Sequence, residues 1–288
     1  GLTPNTQYVF KAKARNVHGV ETAESPAVST YTFAAVPSTA TPTLLDLGVS
    51  SISLQWTHNG NPGGTQYLLG VSTDPAFGTG LVKDSGYTTA FSSAILGLIP
   101  NSTYYAVVLA RNAYGIETAT RTLGSTVTYA ADPASAASTW TAVSSVALTA
   151  AWDANGNPVG TRFEAILSTA ALPNALPANL TVSTYPYGPP AVSFAALTPD
   201  TTYYLSVQAV NHTGIPSVRT ILGSTITLAS PPVPSTAPFA GIFLTSMTVQ
   251  WSSGTNPAWT QYRVDAATSS DYGGTLLQLV LDCIVGNF

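Results

Sequence analysis

Residues that could do chemistry are few in this sequence, and their spacing gives one apparent site. Asp153 begins the run Asp-Ala-Asn-Gly-Asn, and Glu164 occupies its twelfth position, which matches the oxygen-ligand spacing of a calcium-binding loop. The sixth position, where such a loop needs glycine for a sharp turn, is Pro158. The sequence therefore favours an ordinary turn between two strands, and we predict no metal ligand.

Catalytic residues have no stronger candidate. The three histidines fall in different turns, with neither metal-ligand spacing nor a neighbouring cysteine: His18, His58 and His212. The sequence contains no nucleophile elbow, zinc-protease helix or phosphate-binding loop. The carboxylates are dispersed through loops, whereas acid–base catalysis needs a positioned pair. We predict no catalytic residue, no cofactor and no enzymatic activity.

Composition excludes several classes of protein. With 8% charged and 45% hydrophobic residues, the chain is neither a highly charged disordered segment nor a coiled coil. Nine Lys and Arg against 13 Asp and Glu leave no basic excess for nucleic acid. No uninterrupted apolar run reaches the roughly 18 to 20 residues of a membrane span, and no secretory leader is expected within this chain. Its single cysteine, Cys283, cannot form an internal disulfide.

Two sequence markers recur with the same period. The pattern Leu-x-Pro-x-Thr/Ser-x-Tyr begins at Leu2, Leu98 and Leu197, at spacings of 96 and 99 residues. Tryptophan followed by an Asn-Pro turn recurs at the same two spacings, at Trp56, Trp152 and Trp251. Independent markers that share a period indicate a tandem repeat.

Within each repeat the hydrophobic pattern has period two, which is typical of strands. Tyr104, Ala106, Val108 and Ala110 would share one face, and glycine and proline punctuate the chain without a long helical pattern. Units with short strands, an early Trp and a late Tyr predict all-β, immunoglobulin-like sandwiches. The predicted core residues are Trp56, Trp152, Trp251, Tyr8, Tyr104, Tyr203, Leu98, Leu197, Pro100 and Pro199.

The late marker resembles strand F of a fibronectin type III domain. The matching positions are Leu98, Pro100, Tyr104, Ala110, Asn112 and Gly115, and in the next copy Leu197, Pro199, Tyr203, Ala209, Asn211 and Gly214. The resemblance covers the chain except its last ten residues. It implies tandem fibronectin type III sandwiches arranged as beads on a string, with Trp on strand B. It also implies a tyrosine corner, in which the ring is buried and its hydroxyl caps the backbone between strands E and F.

The repeat register predicts four segments. Residues 36–130 and 131–229 are complete units, and short proline-bearing linkers join neighbouring units. Residues 1–35 contain only what matches strands F and G. Residues 230–288 contain what matches strands A to C′, with a tail that departs from the pattern after residue 278. That tail is a chain end, an altered reading or a genuine terminal strand.

Three functions are compatible with such an array. The first is a non-enzymatic spacer or presentation segment of an extracellular or cell-surface protein, as the resemblance to bacterial secreted and surface arrays implies. The second is an adhesive module that binds protein or glycan through exposed loops, with Tyr185 and Tyr187 as candidate ligand contacts, although their loop is also explained as a proline-rich C′–E connection. The third is a set of accessory domains of a larger secreted carbohydrate-active enzyme.

The two incomplete segments add an expectation about self-association. Residues 1–35 supply F and G strands that residues 230–288 lack, so head-to-tail strand addition between chains would complete both. The alternative is that the sequence is an excerpt of a longer array. Three glycosylation sequons, beginning at Asn101, Asn179 and Asn211, would matter in a eukaryotic secretory pathway.

Overall fold

The computed structural model describes residues 1–171, 181–185, 190–274, 276–281 and 285–287. In these ranges every regular element is a β-strand, so they contain no helix that could cross a membrane. The chain divides into two compact units. The first comprises Gly1–Ala131, Gly156–Thr161 and Val210–Ser217, and the second comprises Asp132–Asn155, Arg162–Ala209 and Val218–Phe288.

The strands are short and are punctuated by turns, as the period-two pattern predicts. The first group is β1 (Gln7–Phe10), β2 (Val28–Tyr31), β3 (Ser38–Leu47), β4 (Ser51–Thr57), β5 (Gln66–Ser72), β6 (Lys83–Thr88), β7 (Ser92–Leu96), β8 (Thr103–Arg111) and β9 (Arg121–Val127). The second group is β10 (Ala134–Val143), β11 (Leu148–Asp153), β12 (Arg162–Ser168), β13 (Thr181–Tyr185), β14 (Ala191–Phe194), β15 (Thr202–Val210) and β16 (Thr220–Ile226). The third is β17 (Val233–Ile242), β18 (Met247–Ser252), β19 (Tyr262–Ala267), β20 (Leu276–Leu281) and β21 (Val285–Asn287).

Strands β3 to β9 form two antiparallel sheets with the orders β3-β4-β7 and β6-β5-β8-β9. Named from A to G in chain order, these sheets are A-B-E and C′-C-F-G, the strand order of a fibronectin type III sandwich. Strands β10 to β16 repeat the same order as β10-β11-β14 and β13-β12-β15-β16. The predicted fold class, tandem immunoglobulin-like sandwiches of all-β structure, is confirmed.

The remaining strands make smaller sheets. In the first unit, β1 and β2 pair as an F–G hairpin would, from Gln7↔Tyr31 to Phe10↔Val28. In the second unit, the orders are β17-β18-β21 and β19-β20. The divergent tail therefore supplies strand pairs, since β20 lies on β19 in the C′ position and β21 lies on β18 in the E position. The four predicted segment boundaries remain a prediction, although β3–β9 lie within 36–130 and β10–β16 within 131–229.

Alternating side chains of the sandwiches form their cores. Ile52, Leu54 and Trp56 of β4 point inward, as do Tyr104 and Val108 of β8, and all five are buried. The indole N–H groups of Trp56 and Trp152 have no hydrogen-bond partner among the described residues. These two side chains therefore stabilise the fold through apolar contact.

Most of the predicted core residues lie in a core. The buried ones are Trp56, Trp152, Tyr104, Tyr203, Leu98, Leu197 and Pro199, and Pro100 is half-buried. Tyr8 and Trp251 depart from the expectation because both are only half-buried. Tyr8 lies on β1, which pairs with β2 alone, and Trp251 faces a sheet of two strands where the complete sandwiches have four. In both places fewer strands cover the aromatic ring.

Substituting Trp152 with alanine should destabilise its sandwich by about 3 to 5 kcal/mol, because a large core side chain with 3% exposure is lost and a cavity remains. Urea denaturation followed by circular dichroism measures this loss. The control Val218→Ala removes a side chain of a residue with 73% exposure and should change the free energy of unfolding by less than about 0.5 kcal/mol. Equal effects of the two substitutions would contradict the core assignment.

Candidate functional site

The two carboxylates with calcium-loop spacing bind different groups in the structure. The carboxylate of Asp153 accepts a hydrogen bond from the N–H of Asn155 at 2.7 Å, which is a local turn contact. Glu164 instead pairs with Arg162 and accepts a bond from Nε2 of Gln208 at 2.7 Å. Among the described residues there is no group of three His, Cys, Asp or Glu side chains placed to hold a metal ion.

Of the two tyrosines predicted as ligand contacts, only the backbone of Tyr185 lies within the described residues. Tyr185 is the last residue of β13, and its backbone pairs with Phe163 of β12. The side chain of Tyr185 and the whole of Tyr187 lie outside the described residues. Their assignment stays a prediction.

Among the described residues, a tyrosine hydroxyl holds the turn before strand F in three copies of the repeat, and we call this turn the E–F turn in each. The hydroxyl oxygens of Tyr8, Tyr104 and Tyr203 accept backbone N–H bonds, each from the residue five positions earlier, at 2.8, 2.9 and 2.9 Å. For Tyr104 the donor is Ile99. This is the corner that the fibronectin type III resemblance implies, and it fixes the turn that contains the Pro-Asn or Pro-Asp pair.

The asparagine of each Asn-Pro turn binds the linker in front of its repeat. Oδ1 of Asn61 accepts the N–H of Ala35 at 2.7 Å, and its Nδ2 donates to the carbonyl of the same residue at 2.8 Å. Asn157 makes the same pair with Ala131, at 2.9 and 2.8 Å. One side-chain amide thereby satisfies both backbone groups of a linker residue. The third copy pairs Asn256 with Ser230 at 2.7 and 2.8 Å.

The same asparagine-bearing turn also meets the E–F turn of another sequence copy. In the first unit, Nδ2 of Asn5 donates to Oγ1 of Thr65, and Nδ2 of Asn101 donates to Oγ1 of Thr161, both at 2.9 Å. In the second unit, Oγ1 of Thr260 donates to a carboxylate oxygen of Asp200 at 2.7 Å. The separation is 60 residues in all three pairs.

The loop between strands F and G completes this polar cluster. Oδ1 of Asn112 accepts the N–H groups of Tyr114 and Ile116 at 3.1 and 3.0 Å, and its Nδ2 donates to the carbonyl of Thr32 at 3.3 Å. Asn211 repeats the arrangement with Thr213, Ile215 and the carbonyl of Thr128. Each such cluster, which we call a polar joint, joins an E–F turn, a linker and a B–C loop, and the two clusters of the first unit also include an F–G loop.

Sequence reasoning missed the polar joint although it singled out the Pro-Asn and Asn-Pro turns and the positions Asn112 and Asn211 that belong to it. It explained Pro-Asn by the tyrosine corner and Asn-Pro as a turn, but it did not pair the two. It also marked Asn101 and Asn211 as glycosylation acceptors, whereas both are buried and use their amide groups in the joint. The common separation of 60 residues between the partners was the available signal.

A second polar feature lies on the outer face of each C′-C-F-G sheet. The guanidinium of Arg111 lies 3.4 Å from the ring centre of Tyr87, and its Nε donates to Gln66 at 2.8 Å. Beside it is a cleft of about 390 Å³ whose lining includes Gln66, Arg111 and Tyr114, and the Tyr114 ring contacts Tyr31 edge to face at 5.0 Å.

The equivalent face of strands β12, β15 and β16 carries charged groups. The hydrogen bond from Arg162 holds the pKa of Glu164 below its ordinary value, Gln208 adds to this effect, and partial burial opposes it. Arg219 donates to the backbone carbonyl of Glu164 at 3.3 Å, and burial lowers the pKa of its guanidinium.

The strand order defines the fold of this chain as tandem β-sandwiches of the fibronectin type III kind. No protein-family model matches the chain. Over 122 residues it is 36% identical to endoglucanase B of Cellulomonas fimi, a match that covers 40% of this chain and 11% of that protein. The matched segment therefore spans about a tenth of the length of this relative.

Two solved structures are also similar. The segment of two fibronectin type III domains from chicken tenascin has 13% identity and a TM-score of 0.44, covering 67% of this chain and all of that one. The FN1–FN3 domains of chicken CNTN1 have 16% identity and a TM-score of 0.35, covering 88% of each chain.

Replacing Asn157 with alanine should lower the free energy of unfolding by about 2 to 4 kcal/mol, since the buried backbone of Ala131 loses both a donor and an acceptor partner. Urea denaturation checks this value. The control Val159→Ala lies in the same loop at 98% exposure and should have almost no effect. An Asn157→Ala variant whose free energy of unfolding is unchanged would contradict this prediction and would show that water replaces the amide.

The contribution of Glu164 to the free energy of unfolding should depend on pH. Because the folded-state pKa is lowered, this contribution is complete above the unfolded pKa of about 4.3 and is lost as pH falls through the lower folded value. Thermal unfolding between about pH 5 and pH 3 should show a smaller loss of stability in Glu164→Gln than in the original chain. Parallel curves for the two proteins would contradict the role of this carboxylate.

Proposed function

We propose that this chain is a non-enzymatic spacer or presentation segment of an extracellular or cell-surface protein. The polar joint carries the proposal, because its linker bonds recur in both compact units and its contact between turn tip and threonine recurs with the direction of one bond reversed. A spacer needs junctions of reproducible geometry more than it needs a reactive centre. Neutral amide and hydroxyl groups with fixed partners supply such junctions.

The relationship to endoglucanase B supports an extracellular setting and a modular role. The match covers a small part of that protein, so the chain would be an accessory segment that accompanies other domains.

A second candidate function rests on the cleft beside Arg111. Tyr114 is 57% exposed and offers a flat apolar ring, while Gln66 and Arg111 provide planar polar groups at the same cleft. An aromatic face with planar hydrogen-bonding groups suits a pyranose ring, which has apolar faces and hydroxyls at its edge. This arrangement favours an adhesive module that binds glycan.

One experiment on the full chain separates the two functions. A reporter domain that captures a bead-bound antigen is attached to a cell surface either directly or through this chain. A spacer should increase bead capture, and Tyr114→Ala should leave that increase unchanged, because the reporter alone makes the contact. No gain from inserting the chain would contradict the spacer function.

The chain alone is then tested against insoluble cellulose and a glycan array. Binding that Tyr114→Ala abolishes and that the control Val28→Ala, at a residue with 65% exposure, leaves unchanged would favour the adhesive function. Release of reducing sugar from cellulose by the purified chain would overturn the non-enzymatic assignment.

A further inference from the structure

The residue at the tip of each E–F turn has an unusual backbone conformation. Asn5, Asn101 and Asp200 have φ angles of +42°, +45° and +44°. Apart from glycine, asparagine and aspartate are the residues that enter this left-handed region most readily. The backbone therefore limits this position to short polar side chains, and glycine would satisfy the backbone without supplying a side chain.

The asparagine side chains at this tip bind two loops at once. Oδ1 of Asn101 accepts the N–H of His212 at 2.7 Å, while its Nδ2 donates to Oγ1 of Thr161. Oδ1 of Asn5 accepts the N–H of Ala113 at 2.8 Å in the same way. All these residues belong to the first unit, and Asn101 has no exposed surface. The donor and acceptor sides of this buried amide contact different loops. The contact therefore requires a suitable hydrogen-bonding group in each loop.

In the second unit the tip residue is Asp200, and the hydrogen bond between the tip and the threonine runs in the opposite direction. At the asparagine tips, the threonine hydroxyl accepts from Nδ2 and donates to a proline carbonyl, from Thr161 to Pro158 at 2.8 Å, for example. A carboxylate cannot donate, and in the second unit the hydroxyl of Thr260 donates to Asp200 instead. The indole Nε1 of Trp259 adds a bond to the Asp200 carbonyl at 3.0 Å.

We infer that the E–F turn tip is a recognition surface for another sandwich of the same kind. Its partner is a sandwich that presents Asn-Pro-x-x-Thr in its B–C loop and, at the asparagine tips, a backbone N–H of its F–G loop. Because the threonine hydroxyl can either accept or donate, both asparagine and aspartate can hydrogen-bond to it from the tip. Because the surface consists of a few polar bonds, it suits partners held near each other by a short linker, where the effective concentration is high. This inference goes beyond the spacer function, since it concerns which sandwiches can be neighbours.

Amide hydrogen exchange in the full chain tests this inference at the His212 N–H. Asn101→Gly keeps the backbone conformation accessible and removes the side chain, and it should raise the His212 exchange rate at least about fivefold. Asn101→Asp should retain the protection, because its carboxylate can accept from both His212 and the Thr161 hydroxyl. Amides inside β8 serve as the internal reference.

Thr161→Val tests the contact of Asn101 with the second loop, since it removes the threonine hydroxyl with little change in side-chain shape. Combined with Asn101→Gly, it should be strongly non-additive, because both substitutions break the same contact. In the second unit, Asp200→Asn should leave the Trp259 indole proton signal in place, while Asp200→Lys should shift it. Unchanged His212 exchange in Asn101→Gly, or equal loss of protection in Asn101→Gly and Asn101→Asp, would overturn the inference.

Discussion

The bond from a turn N–H to a tyrosine hydroxyl is the interaction on which the polar joints depend. Tyr104 buries its ring in the sandwich and holds the backbone of Ile99, which fixes the start of the E–F turn. Two residues further on, Asn101 is thereby placed with its left-handed backbone at the tip. A core residue thus determines the position of a buried amide at the turn tip, and that amide determines which loops can lie against it.

Neutral groups make most of the hydrogen bonds in the polar joints. Asn61 binds the linker at Ala35, and its counterparts in the other copies bind theirs, without using a charged side chain. The ion pair between Lys11 and Glu24 at 3.0 Å is exposed by comparison, and exposed pairs contribute little. The low charge of the chain is therefore consistent with junctions held by buried amides, whose bonds are less sensitive to salt than ion pairs are.

Sequence patterns predicted the fold well because the relevant signals are local. Alternation along β8 requires only neighbouring residues, and Trp56 and Trp152 mark buried strands wherever two complete sheets face each other. The prediction was weaker at Tyr8 and Trp251, whose exposure depends on strands elsewhere in the chain. It also left the tail unexplained, because β21 was recognisable only by its pairing with β18.

The sequence alone determined the class of fold, the period and the residues with the chemistry to form junctions, since composition and spacing are properties of the chain itself. Only the tertiary structure decided that the tip residue Asn101 meets Thr161 and His212, 60 and 111 positions away. Contacts between loops depend on where the sheets place those loops. The tertiary structure likewise decided the contacts of Asp153 and Glu164, whose spacing resembles that of a calcium-binding loop. The two carboxylates bind different partners.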